Sequence, residues 1–210
     1  MKGYIMSKGL NRINKKAEIA NQEFWDETAP VHYQSYDIEK LKQGKSLIDV
    51  IQKKEIGSVK DKSLLHLQCH IGTDSLSWVL EGAQVTGVDF SKESIKIANE
   101  LKRILDLKAQ FIESNIYDLP NILKGKFDIV YTSQGVLIWL KDIKEWGKLI
   151  SHYLKPGGIF YIMETHPLLY IFDNDKHGEL KIKDSYFPEK EPILWDDDSP
   201  DYSDREYIPK

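Results

Sequence analysis

The chain has 210 residues, 41% of them hydrophobic and 30% charged, the length of one domain with enough apolar side chains for a sizeable core. A formal net charge of -4 and a pI near 5.9 argue against a general binder of nucleic acid or anionic membrane, which presents a basic face to phosphates. Its single cysteine, Cys69, cannot close an internal disulfide, no stretch approaches the roughly 20 apolar residues of a membrane span, and the start lacks a signal-peptide core; the cytoplasm is the expected location.

Residues 1–20 open with five Lys/Arg in the first sixteen and little apolar periodicity, which predicts a mobile arm. Residues 21–57 carry Phe24, Trp25, Tyr33 and Tyr36, then SLIDVIQKKEIG, a short amphipathic helix stopped by Gly57. From residue 58 to 168 the rhythm changes to short apolar runs alternating with helical patterns. The runs are SLLHLQ (63–68), QVTGVD (84–89), AQFIES (109–114), FDIVYTS (127–133) and IFYIME (159–164), continuous enough for parallel strands covered on both faces. Between them, Asp74 is expected to cap a helix whose Leu76, Val79 and Leu80 face inward, ending at Gly82. Ser91 caps a second, with Ile97, Leu101 and Ile104 in one stripe. A third runs from about Asp142 with Ile143, Trp146, Ile150 and Tyr153 inward, and stops at 155–158, Lys-Pro-Gly-Gly. The 115–126 connection holds at most a brief helix. This alternation predicts an α/β fold, a Rossmann-like, doubly wound, mostly parallel sheet with flanking helices. Residues 169–210 read as an irregular acidic extension, with seven acidic against two basic residues in 189–205.

In an open parallel sheet, ligands bind beyond the carboxyl ends of the strands where the strand order reverses. Gln68–Gly72, Asp89-Phe90, Asn115-Ile116 and Ser133-Gln134-Gly135 fall there. Gly72 allows a close backbone turn, and Asp89, 17 residues further on, can accept two ribose hydroxyls. Phe90 or Ile116 could pack on a purine, and Asn115 with the Ile116 N–H could read its edge. Each has a plainer reading: a tight turn for Gly72 and Asn115, a helix cap for Asp89, a small buried side chain for Cys69, a core histidine for His66. No metal-ligand spacing, G-x-S-x-G elbow or phosphate loop is found.

The segments LLHLQCHIGTDSLSWVLEGAQVTGVDFS, SNIYDLP and FDIVYTSQGVLIWLKDIKEWGKLISHYLKPGGIFYIMETHP together resemble class I S-adenosylmethionine-dependent methyltransferases over residues 20–168. The family's acid-x-Gly-x-Gly-x-Gly loop is here His66, Gln68, His70 and Gly72, and LQCH at this point resembles a bacterial branch of the family. The resemblance implies S-adenosylmethionine as cofactor: Asp89 on the ribose, Phe90 beside the adenine, Asn115 and Ile116 on its edge, and Gln68, His70 and Gly72 along the methionine. Ser133 and Gln134 would face the methyl group, Tyr33 and Tyr36 would belong to a lid formed by 21–57, and His70 or His166 would serve as base if one is needed. Ser133-Gln134-Gly135-Val136 differs from the Asn/Asp-Pro-Pro-aromatic pattern of enzymes that methylate base amino groups. With the acidic balance, this points to a small-molecule acceptor, not nucleic acid.

Two other readings remain at this stage: an NAD-dependent oxidoreductase, against which the missing G-x-G-x-x-G counts, and a non-catalytic cofactor-binding module. The family sheet normally continues with a helix and two strands after the fifth. Only 46 residues follow Glu164, without that pattern. The open edge is therefore expected to be covered by the tail, through KIKDSYF (181–187) or PILW (192–195), by a second copy in a homodimer, or by residues missing from a truncated chain.

Overall fold

All five apolar runs join one sheet. The computed structural model describes residues 3–5, 11–173, 180–183, 185–187 and 193–195; residues 3–5, 11–14, 170, 173 and 193–195 are described by backbone alone. In chain order the elements are β1 (Gly3–Ile5), α1 (Asn11–Ser35), α2 (Ile38–Lys42), α3 (Val50–Ile56), β2 (Ser63–Leu67), α4 (Thr73–Leu80), β3 (Gln84–Asp89), α5 (Lys92–Ile104), β4 (Ala109–Glu113), α6 (Leu119–Ile122), β5 (Phe127–Thr132), α7 (Ile143–Tyr153), β6 (Leu154–Ile162), β7 (Phe172–Asp173), β8 (Lys181–Ile182) and β9 (Ile193–Trp195). The main sheet has the order β4-β3-β2-β5-β6 and every pair is parallel. Strand order therefore reverses between β2 and β5, which fixes the place for a ligand at their carboxyl ends.

Alternate side chains of each strand feed two different cores. Leu65, Leu67, Val88 and Val130 meet Trp146, Leu149, Ile150 and Tyr153 of α7 on one face. Leu64, Val85, Ile129 and Tyr131 meet Ile56 of α3 and Trp78 of α4 on the other. A third cluster joins Leu41 of α2, Leu76 of α4 and Leu101 of α5, with Tyr33 and Phe111 packed against it. Burial on both faces explains the unbroken apolar runs.

Several local expectations need correction. The predicted arm is helical from Asn11 onward, because Ala17, Asn21, Phe24, Thr28 and His32 repeat at helical spacing and are all buried. That stripe is largely polar, so apolar periodicity missed it. Helix α4 has Gly72 at its N-cap with no side-chain cap, and Asp74 instead turns to Tyr131; Trp78 is buried, while Val79 and Leu80 are only partly so. In α5 the inward stripe is Ile95, Ala98 and Leu101; Ile104 is exposed, as is Ile143 at the start of α7. Ser91 does cap α5, accepting from Ser94 N, and Asp142 caps α7. Strand β6 starts at Leu154 rather than 159, since Phe127 pairs with Leu154 and Ile129 with Ile159, leaving 155–158 as a bulge.

The described residues of the two tail segments pair elsewhere than at the sheet edge. Lys181–Ile182 pairs antiparallel with Phe172–Asp173, and Ile193–Trp195 pairs with Gly3–Ile5. Among the described residues no strand lies beyond β6, and no helix is long and apolar enough to cross a membrane.

Candidate functional site

The loop from β2 to α4 turns through three alternating left-handed residues: Gln68 at φ 53°, His70 at φ 48° and Gly72 at φ 76°. Two of these are not glycine, a conformation that costs of order 1 kcal/mol each. Three backbone contacts hold it in place. Cys69 N donates to Val88 O (2.9 Å), Gly72 N to Cys69 O (2.9 Å), and His70 N to Asp89 Oδ2 (2.8 Å). The Gln68 side chain ends at the switch point, its Oε1 3.5 Å from Thr132 Oγ1, and its Nε2 is buried with no hydrogen-bond acceptor among the described residues. A buried amide donor left unsatisfied is costly, so this one marks a place for an added acceptor. Gly72 also answers a packing need. A Cβ there would lie 2.8 Å from the Phe111 ring and 2.9 Å from Ala98 Cβ, so the glycine lets the loop pack against β4 and α5.

Asp89 ends β3 and is 6% exposed. Its Oδ1 accepts from Ser91 N at 2.9 Å while Oδ2 takes the His70 amide, so one carboxylate ties the loop to the start of α5. Burial pushes its pKa up to about 6, against the pull of these backbone N–H groups. Each oxygen keeps a lone pair for a further donor.

Helix α1 lies across this end of the sheet and grips it with polar contacts. Gln22 Nε2 donates to Phe90 O (2.8 Å), Asp26 Oδ1 accepts from Ser91 Oγ (2.7 Å) and Glu93 N (3.1 Å), and Glu18 Oε1 accepts from Asn115 Nδ2 (3.1 Å) and Lys141 Nζ (2.6 Å). His32 Nδ1 and His70 Nε2 share one proton across 2.8 Å, and His70 Nδ1 meets Ser94 Oγ at 2.8 Å. Burial, reinforced by His32, holds the His70 pKa down at about 3, so its ring is neutral at physiological pH. Trp25 sits edge-on to both His70 and Trp139, and Phe24 stacks on Trp139. These aromatic rings pack together beside the loop. Spacing gave no signal for Gln22, Asp26 or His32, because their roles come from the long-range docking of α1.

The remaining predicted residues divide. Asn115 Oδ1 caps the turn at Tyr117 N (3.1 Å), and the Ile116 side chain is buried in the α7-side core, leaving its backbone for recognition. Ser133 lies 3.4 Å from His66 Nε2, whereas Gln134 is exposed. Tyr33 packs beside α2 and α4, and Tyr36 stacks on His32 at the end of α1. His166 is exposed, its Nδ1 accepting from Leu168 N (3.1 Å) as a helix cap, which leaves it a weak candidate for a base. Cys69 is buried and its thiol pKa pushed up, in keeping with a packing residue. An open cleft of about 770 Å³ lies at the opposite, amino end of the strands, lined by Ser63, Gln84 and Lys108 among others, away from all these groups. Among the described residues no three His, Cys, Asp or Glu side chains converge as metal ligands.

Comparison with known proteins bears on the fold and family that carry these residues. Residues 65–160 match the methyltransferase-domain family. The ubiquinone biosynthesis O-methyltransferase of Chromobacterium violaceum is 30% identical over 153 residues, 70% of this chain and 59% of that protein. A cypemycin N-terminal methyltransferase from Streptomyces is 28% identical over 148 residues, 68% of this chain and 57% of that one. The chain thus spans less than two thirds of the length of either relative. In fold, it is similar to the S-adenosylmethionine-dependent methyltransferase of Mesorhizobium loti, with a TM-score of 0.50 at 22% identity over 56% of this chain and 53% of that one. Residues 65–160 are thus similar to a methyltransferase domain, and the parallel sheet has the Rossmann-like fold seen in the Mesorhizobium loti structure.

Proposed function

We propose that the chain transfers the methyl group of S-adenosylmethionine to a small-molecule acceptor in the cytoplasm. The observation that carries the proposal is the loop after β2, which keeps left-handed geometry at Gln68, His70 and Gly72 even where glycine has been replaced. The cofactor's chemistry fits the groups around that loop. The buried, unsatisfied Gln68 amide suits the methionine carboxylate, and the free lone pairs of Asp89 suit the two ribose hydroxyls. Phe90 flanks the adenine, Asn115 and the Ile116 backbone read its edge, and Ser133 with Gln134 faces the methyl end. Helix α1, with Tyr33, Tyr36 and the Trp25–Trp139 wall, closes over the top.

S-adenosylmethionine brings a sulfonium-activated methyl group; the chain's own residues bind, orient and exclude water. His70 is placed as a neutral partner of His32 and Ser94 that fixes α1 to the loop, a role in positioning rather than proton transfer. A small acceptor agrees with the net charge of -4 and with the Ser133-Gln134-Gly135-Val136 sequence that follows β5. The O-methyltransferase relative supports the same class of acceptor.

Asp89→Ala is expected to weaken S-adenosylhomocysteine binding by about 1.5–3 kcal/mol, the scale of hydrogen bonds to a charged group. Titration calorimetry on the wild type and variant measures it. Unchanged affinity in a folded variant would take Asp89 out of the site.

A further inference from the structure

Helix α1 brings a carboxylate to the end of β4, and the fold uses only half of it. Glu18 Oε1 accepts from Asn115 Nδ2 at 3.1 Å, across 97 residues of sequence, and from Lys141 Nζ at 2.6 Å. Both donors converge on that one oxygen, and among the described residues none donates to Oε2. Lys141 is held on a second side, its ammonium 4.7 Å from the centroid of the Tyr117 ring. The Tyr117 hydroxyl is itself fixed, donating to Asp142 O at 3.0 Å and accepting from Asp142 N at 3.1 Å. Glu18 and Lys141 are both partly buried, so the pair is a built feature of the site.

A count of donors and acceptors shows what the spare oxygen suits. Adenine presents a donor, its 6-amino group, next to an acceptor, N1. The short turn Ile116–Asp118 starts directly after Asn115, and the Ile116 N–H is among the donors that such a start leaves open. It suits N1. The 6-amino group needs an acceptor beside it. Asn115 uses its Oδ1 to cap Tyr117 N at 3.1 Å and presents a donor, Nδ2, toward α1. The acceptor with capacity left there is Glu18 Oε2. Lys141 compensates its charge, so a neutral base placed against the carboxylate strands no ion.

We propose that Glu18 is a specificity-determining residue of the cofactor site, accepting a hydrogen bond from the adenine 6-amino group through Oε2. The inference rests on the methyltransferase reading, which puts adenine against Asn115 and Ile116. Base recognition and closure of α1 are then one event, because the carboxylate that reads the amino group belongs to the helix that covers the site. Asn115 and Lys141 act on the base through Glu18, by orienting it.

The test needs no methyl acceptor. S-adenosylhomocysteine is compared with its 6-deamino analogue, in which purine replaces adenine and N1 stays an acceptor. Titration calorimetry gives both affinities. For the wild type we expect the analogue to bind about 10- to 100-fold more weakly, the loss of one hydrogen bond to a charged group. Glu18→Ala should bring the two ligands within about threefold of each other, the scatter of uncoupled sites. A residue that only docked α1 would weaken both ligands by the same factor and leave their ratio unchanged. Asp26→Ala, which removes the anchor of α1 on Ser91 and Glu93, is expected to do that. Glu18→Gln serves if the alanine variant does not fold. Its amide oxygen takes the place shared by Asn115 and Lys141, a donor replaces Oε2, and the ratio should collapse in the same way. Equal affinities in the wild type, or a wild-type ratio that survives in a folded Glu18 variant, would overturn the inference alone. Failure of S-adenosylhomocysteine to bind the wild type would overturn the methyltransferase reading beneath it.

Discussion

Between about pH 7 and pH 5 the folded chain is expected to lose about 3 kcal/mol of stability, most of it through His66 and His70. Both rings are held neutral, with pKa values of about 3, by burial, and in His70 also by His32. In the unfolded chain each titrates near 6.5. The unfolded state therefore binds protons that the folded state refuses, and stability falls as pH drops below 6.5. At pH 5 the gap is about 1.5 units for each ring, or about 2 kcal/mol each. Asp89 works the other way. Its folded pKa of about 6 lies above the unfolded carboxylate value, so it takes up a proton in this window and returns about 1 kcal/mol. The Asp128 carboxyl, held low by Ser63 and Lys155, matters only below about pH 4. Urea denaturation at the two pH values measures the net loss. His66→Gln and His70→Asn should each flatten the dependence by about 2 kcal/mol. An unchanged slope in the double variant would show that these rings are not held neutral by the fold.

Gly72→Ala is expected to destabilise the chain by about 2–4 kcal/mol. Left-handed backbone costs an L-residue about 1 kcal/mol, and a methyl forced into a filled space costs about 1–3 more. The space is filled on two sides, by Phe111 at 2.8 Å and Ala98 at 2.9 Å, and both belong to packed elements. Gly44 is the matched control. It has nearly the same φ, 75°, with nothing within 4 Å of an added Cβ, so Gly44→Ala should cost only the backbone share. If the two variants unfold at the same urea concentration, the loop does not depend on close packing against β4 and α5.

The architecture was legible because burial on both faces writes itself into a strand as an unbroken apolar run. SLLHLQ, QVTGVD and FDIVYTS announce β2, β3 and β5 within a residue. Ser91 was legible as a cap and Asp142 as the start of α7, since each stands just before a helical stripe. Helix α1 was not. The face it buries carries Asn21, Thr28 and His32, and the helix is anchored far along the chain, His32 to His70 38 residues away and its neighbour Gln22 to Phe90 68 residues away. Asp74 was legible as polar and near a helix start, but the choice between capping and turning to Tyr131 depends on where β5 lies. The left-handed residues Gln68 and His70 were hidden for a related reason. Glycine advertises that conformation, and here it is imposed on other residues by backbone bonds to Cys69, Val88 and Asp89.

The central claim is that this loop still holds an S-adenosyl group. Thermal denaturation with S-adenosylmethionine, S-adenosylhomocysteine and NAD, each at about a hundred times its dissociation constant where it binds, tests that most directly. A ligand of the folded state then adds about 2.7 kcal/mol, a shift of roughly 5–10 °C for a chain of this size. The account predicts that shift for both S-adenosyl compounds and none for NAD. A shift with NAD alone would contradict it.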